Sequence, residues 1–158
     1  MAKKAIVMGA TSGIGMEVAK LLAAKGWQVG IAGRRIERLQ ALILQGGIIC
    51  YQQIDVTSAE APSLLLELID KLGGMDLYFH SSGIGWQNNS LDIEKELKTV
   101  ETNGLGFTRM IDTAFNWFAT HHQNNSKARI ACITSIAGTK GLGAAPAYSA
   151  TKRFQNHY

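Results

Sequence analysis

Cysteine and proline are both scarce in this 158-residue chain, with two of each. Two thiols cannot supply the disulfide framework that staples small secreted folds, and no set of residues has the spacing of a metal site. Cys50 and Cys132 each lie within an apolar stretch, where a thiol packs as a small hydrophobe. With so little proline, the 17 glycines are not part of a low-complexity tract and have to be read position by position. Charged residues amount to only 18%, and despite a net charge of +4 the lysines and arginines form no long basic run with interleaved aromatics. That pattern disfavours a nucleic-acid groove and leaves room for a small anionic ligand. No stretch approaches the roughly 18 uninterrupted apolar residues of a membrane span, and the apolar start is shorter than a signal-peptide core. The default expectation is a cytoplasmic protein without membrane partners.

Hydrophobic residues, in contrast, make up 46% of the chain, enough for a sizeable core, and the length suits one domain over residues 1 to 158. Short apolar runs alternate with segments of helical period. Strands are expected at Ala5 to Met8, Gln28 to Ala32, Ile48 to Ile54, Met75 to His80 and Ala128 to Thr134. Between them run helical stripes: Ile14, Val18, Leu21 and Leu22, with Ser12 as N-cap; Ile36, Leu39 and Ile43; and Leu64, Leu65, Leu68, Ile69 and Leu72 after Pro62. A fourth segment carries Ile93, Leu97 and Val100 on one face, with Glu94, Lys95, Glu96 and Lys98 as a solvated face. A further stripe is Phe107, Ile111, Ala114 and Phe118, with Met110, Trp117 and His121 on a second flank that should stay exposed. Apolar strands separated by helices imply a doubly wound α/β layout with a parallel sheet.

In such layouts ligands bind beyond the carboxyl ends of the strands. After the first strand comes Gly9-Ala10-Thr11-Ser12-Gly13-Ile14-Gly15, a glycine loop opening into a helix. Gly9 can turn tightly, Gly13 lets backbone approach a pyrophosphate at the positive helix start, and Gly15 allows close packing. After the second strand comes Gly33-Arg34-Arg35, with no acid to bind the 2′-hydroxyl of NAD. Arginines there suit the 2′-phosphate of NADP, and cations at a positive helix end gain from a joining anion. Near the end, Tyr148 and Lys152 stand one helical turn apart, so an ammonium can favour the ionised phenol and make the pair a proton donor and acceptor. Ser135, at the end of the fifth strand, could hydrogen-bond a substrate carbonyl.

Together these residues resemble the short-chain dehydrogenase/reductase family over essentially the whole chain. Gly9 to Gly15 looks like its T-G-x-x-x-G-x-G loop with Met8 in place of the usual Thr. Asp55-Val56 matches its adenine-contacting Asp, and Asn103 matches its helix Asn, which holds a water and a kinked backbone in a proton relay. Ser135, Tyr148 and Lys152 fall at its catalytic spacing. The resemblance implies a Rossmann-type fold, NADP as cofactor and hydride transfer between a carbonyl and an alcohol. Within that scheme Tyr148 protonates the oxygen, Ser135 polarises it, Asn103 orders the relay water and Lys152 tunes Tyr148. Lys152 and Tyr148, with Gly9, Thr11, Ser12, Gly13, Ile14, Gly15, Arg34, Arg35, Asp55, Val56, Ser82 and Gly83, would hold the cofactor. The resemblance also implies homo-oligomers.

Two departures stand out. His80-Ser81-Ser82-Gly83 replaces the family's Asn-Asn-Ala-Gly, and His80 is expected to be a strand-end histidine satisfied by a hydrogen bond. The chain also stops at Tyr158, where the family continues with a further strand, a cofactor loop and a substrate lid, so it reads as C-terminally truncated. The rival readings are a non-catalytic NADP-binding or interaction module and a methyltransferase on a similar sheet. The latter gives no reason for Ser135, Tyr148 and Lys152 together.

Overall fold

A computed structural model describes residues 2–122 and 128–158. The five strands are β1 (Lys4–Met8), β2 (Gln28–Gly33), β3 (Ile48–Gln53), β4 (Leu77–His80) and β5 (Arg129–Cys132). They form one sheet in the order β3-β2-β1-β4-β5, and every neighbouring pair is parallel. The helices are α1 (Gly13–Ala24), α2 (Ile36–Ile43), α3 (Ala61–Leu72), α4 (Ile93–Val100), α5 (Phe107–His121) and α6 (Pro146–His157). A π-helical segment, Glu101–Gly106, joins α4 to α5, and a 3-10 turn, Ile136–Gly138, precedes α6. This is the expected doubly wound α/β layout.

Alternation along the central strand divides the core. Ile6 and Met8 face α3 and α5, packing with Leu65, Leu68, Ile69, Met110 and Ala114, whereas Val7 faces α1 and α2 with Ala19, Leu39 and Leu42. All four residues Ala5 to Met8 have no exposed surface, as a strand covered by helices on both faces requires. The chain runs outward from β1 to β3, then returns to the other side of β1 for β4 and β5. The crevice at that reversal, between the loops after β1 and β4, is where such sheets bind ligands.

Several helical stripes differ from their expected faces. In α1 the buried residues are Gly15 and Ala19, while Ile14 and Leu21 are exposed. Small residues let this helix lie close to the sheet, and the larger side chains are pushed to its flanks. Ser12 occupies the N-cap position with extended backbone but makes no side-chain cap, because its hydroxyl accepts from Arg35 Nη2 at 2.6 Å. In α4 the expected apolar face, Ile93, Leu97 and Val100, is solvent-exposed, and the supposedly solvated Glu96 is engaged: its carboxylate accepts from Asn88 Nδ2 at 2.7 Å and from Ala147 N at 2.9 Å. In α5 Met110 is fully buried and Trp117 half-buried, so they do not form the exposed strip that the sequence suggests.

Candidate functional site

A cleft of about 590 Å³ opens above the carboxyl ends of the strands. One end is lined by Thr11, Ser12, Gly13 and Ile14 with Arg34 and Arg35, the middle by Asp55, Val56, Ser82 and Gly83, and the far end by Tyr148 and Lys152. Gly9 lies in its floor. Three of the expected residues do not line it: Gly15, Asn103 and Ser135.

Gly9 turns with φ of 87°, and a Cβ on it would sit 2.7 Å from Ser82 N, so the two loops at the sheet reversal touch backbone to backbone. Gly15 is confined from behind, where a Cβ would come within 2.3 Å of Gly9 O. Gly13 faces open space, with nothing within 4 Å of where its Cβ would be. The three glycines therefore separate into a turn, a packing contact and an unobstructed approach to the start of α1.

Beside that approach, the Arg35 guanidinium donates to Thr11 Oγ1 through Nε at 3.1 Å and Nη2 at 2.8 Å, and also to Ser12 Oγ. Arg38 Nη1 reaches Thr11 O at 3.3 Å. Hydroxyls hold Arg35 and a backbone carbonyl holds Arg38, and among the described residues no carboxylate pairs with Arg35. Asp55 lines the cleft while its Oδ1 accepts from Thr57 N and Thr57 Oγ1, and buried Val56 packs behind it against Gly106.

At the other end, Lys152 is buried, and its Nζ donates to Ile133 O at 3.0 Å and to Gln155 Oε1 at 2.9 Å. Burial lowers its pKa from the ordinary lysine range, with a smaller opposing effect from Cys132. Nζ lies 5.8 Å from the Tyr148 ring centroid. Gly83 stands beside the ammonium, since a Cβ there would be 3.4 Å from both Lys152 Nζ and Asn103 Oδ1. Asn103 sits in the π segment and clamps the loop after β4 from behind: Oδ1 accepts from Ile84 N at 2.9 Å, and Nδ2 donates to Ile84 O at 2.7 Å. Its backbone carbonyl accepts from Gln155 Nε2 at 2.9 Å. Ser135 caps the 3-10 turn, its Oγ accepting from Ala137 N at 3.1 Å, which leaves the hydroxyl proton available to another acceptor.

Sequence reasoning missed Gly85 and Gln155. A Cβ on Gly85 would be 2.3 Å from Tyr148 Cδ2, so this glycine makes room for the ring. Gln155 lies three residues beyond Lys152 on the same helical face, a spacing that could have signalled the contact. His80 is only half satisfied: Nδ1 pairs with Tyr78 Oη at 3.0 Å, but among the described residues buried Nε2 has no hydrogen-bond partner.

The profile of the short chain dehydrogenase family matches residues 3–158. An uncharacterized oxidoreductase of Myxococcus xanthus is 31% identical over 159 residues, covering 96% of this chain and 61% of the relative. A variant of actinorhodin polyketide ketoreductase solved with NADPH superposes with a TM-score of 0.84 at 28% identity, covering 96% of this chain and 60% of that one. An alcohol dehydrogenase from the archaeon Thermococcus sibiricus, complexed with 5-hydroxy-NADP, shares the fold with a TM-score of 0.85 at 23% identity, covering 97% of this chain and 66% of that one. The chain thus spans about 61% of the length of the Myxococcus relative.

Proposed function

The chain belongs to the short chain dehydrogenase family, and from that membership we propose an NADP(H)-dependent oxidoreductase that interconverts a carbonyl and an alcohol. One observation carries the reading: a single cleft joins an anion-receptive helix start and two arginines at one end to Tyr148 and Lys152 at the other. A dinucleotide fits these residues. Gly13 leaves the start of α1 open, and the first turn of α1 carries no acidic side chain to repel phosphate. Arg34 and Arg35 would supply donors for a 2′-phosphate, Asp55 and Val56 would hold the adenine, and Ser82 and Gly83 the nicotinamide ribose.

When bound, the nicotinamide supplies or accepts a hydride. Tyr148 gives a proton to the carbonyl oxygen in reduction and takes it back in oxidation. Lys152 has three donors and spends two on Ile133 and Gln155, so one remains for a ligand hydroxyl. Ser135 follows the cleft-lining Thr134 and keeps a hydroxyl proton that would reach a substrate oxygen from just outside the lining, and Asn103 holds the wall formed by Ile84. The NADPH-bound ketoreductase among the structural relatives supports this choice of cofactor and reaction. A purely nucleotide-binding role gives the free Lys152 donor a ligand hydroxyl to hold but leaves the Tyr148 proton in the cleft without a task.

Fluorescence titration tests the cofactor assignment. NADPH should bind roughly 10-fold or more tightly than NADH, the worth of a charge-assisted contact of about 1.5–3 kcal/mol, with a margin that shrinks as salt is raised. Arg35→Ala should remove most of that margin. Equal affinities in the unaltered protein would refute the preference.

A further inference from the structure

The Lys152 ammonium and the backbone carbonyl of Asn103 are joined through one side-chain amide. Gln155 Oε1 accepts from Lys152 Nζ at 2.9 Å, and Gln155 Nε2 donates to Asn103 O at 2.9 Å. All three residues are buried, with Gln155 only 6% exposed. The amide has one satisfactory orientation, since turning it over would set NH₂ against an ammonium that only donates and an oxygen against a carbonyl that only accepts. The carbonyl it reaches lies within the π segment, where the regular i→i−4 ladder is interrupted. Two elements distant in sequence, α6 and the segment between α4 and α5, are thereby tied together at the ammonium.

We propose that Gln155 is a positioning residue that latches the Lys152 ammonium to the Asn103 carbonyl, fixing its direction with protein atoms alone. A water bridging the same two groups could pass a proton. An amide cannot do so without changing tautomer, so no proton passes between Asn103 and Lys152 through this contact. This deepens the oxidoreductase reading, on which its catalytic meaning rests, but the latch itself can be tested without turnover.

The test is the titration of Lys152, followed through the ¹³Cε signal of lysine-labelled protein and assigned by its loss in Lys152→Arg. Gln155→Met keeps the length and removes the acceptor, so burial opposes the ammonium with less compensation and the midpoint should fall by about one pH unit. Gln155→Glu places a carboxylate on the ammonium, and the midpoint should rise by about as much. Cys132 on β5, His80 on β4 and Tyr148 on α6 also face Lys152 and are unchanged in both variants. Shifts of opposite sign support the latch, because mere packing by Gln155 would not invert with the charge of its replacement. Midpoints that stay with the unaltered protein, or move in the same direction, overturn it. Failure of NADPH to bind the unaltered protein would refute the cofactor reading while leaving this result intact.

Discussion

His80 is a residue whose ionisation the fold strongly opposes. Burial pushes its pKa down to about 3, the charge of Lys152 works in the same direction, and the Ser82 backbone acts against them. The ring is therefore neutral when folded, whereas an unfolded histidine protonates below about 6.5. Its contribution to stability is complete above that value and is lost as the pH falls from about 6.5 toward about 3. Urea unfolding across this window should show a decline on the order of a few kcal/mol that is largely absent in His80→Gln. A decline of equal depth in the variant would assign the acid sensitivity to other groups. Gly85 makes a second expectation. In Gly85→Ala the new methyl collides with the Tyr148 ring, and the displacement should cost about 1–3 kcal/mol in urea unfolding. A stability equal to that of the unaltered protein would show that the ring moves freely. The glycines differ in how legible they were. Gly9, Gly13 and Gly15 stand between a strand and a helix, where local spacing reveals their purpose. Gly85 answers to a ring brought up from α6, which no local pattern announces.

Among the elements, the strands were easiest to anticipate, because burial on both faces produces continuous apolar runs such as Ala5 to Met8. The helices were harder. Periodicity identifies an apolar face but not what covers it, and α1 approaches the sheet through Gly15 and Ala19, which a search for large residues passes over. α4 inverts the expectation because Glu96 reaches Ala147 N in the first turn of α6 and Asn88 in the loop after β4. A carboxylate at a helix start satisfies an orphan N–H and complements the positive end of the helix. Glu96→Ala should therefore cost about 1.5–3 kcal/mol, the range for hydrogen bonds to a charged group, while Glu94→Ala, at an exposed position, should be close to neutral. Chemical denaturation of both variants checks this, and equal effects would deny Glu96 its tethering role.

On the scale of the whole molecule, large apolar side chains stand exposed along α4, the π segment and α5. Ile93, Leu97, Val100, Leu105 and Phe115 are between 44% and 64% exposed. An apolar strip of this length predicts self-association through a two-fold contact. Light scattering at tens of micromolar, about the usual range of weak contacts, should report more than a monomer, and Leu97→Lys should shift it toward one. The sheet order carries a different consequence, in time rather than space. β1 is central, yet one of its partners lies far along the chain: Lys4 N donates to the Asp76 carboxylate, 72 positions away, where β4 begins to pair. Closing so large a loop is slow compared with forming a local hairpin or helix. During synthesis at about 5–20 residues per second, β1 waits several seconds with one side uncovered before β4 exists. A chaperone that shields apolar strands would find its target in that interval, because the first strand made is not paired along both edges until the fourth exists.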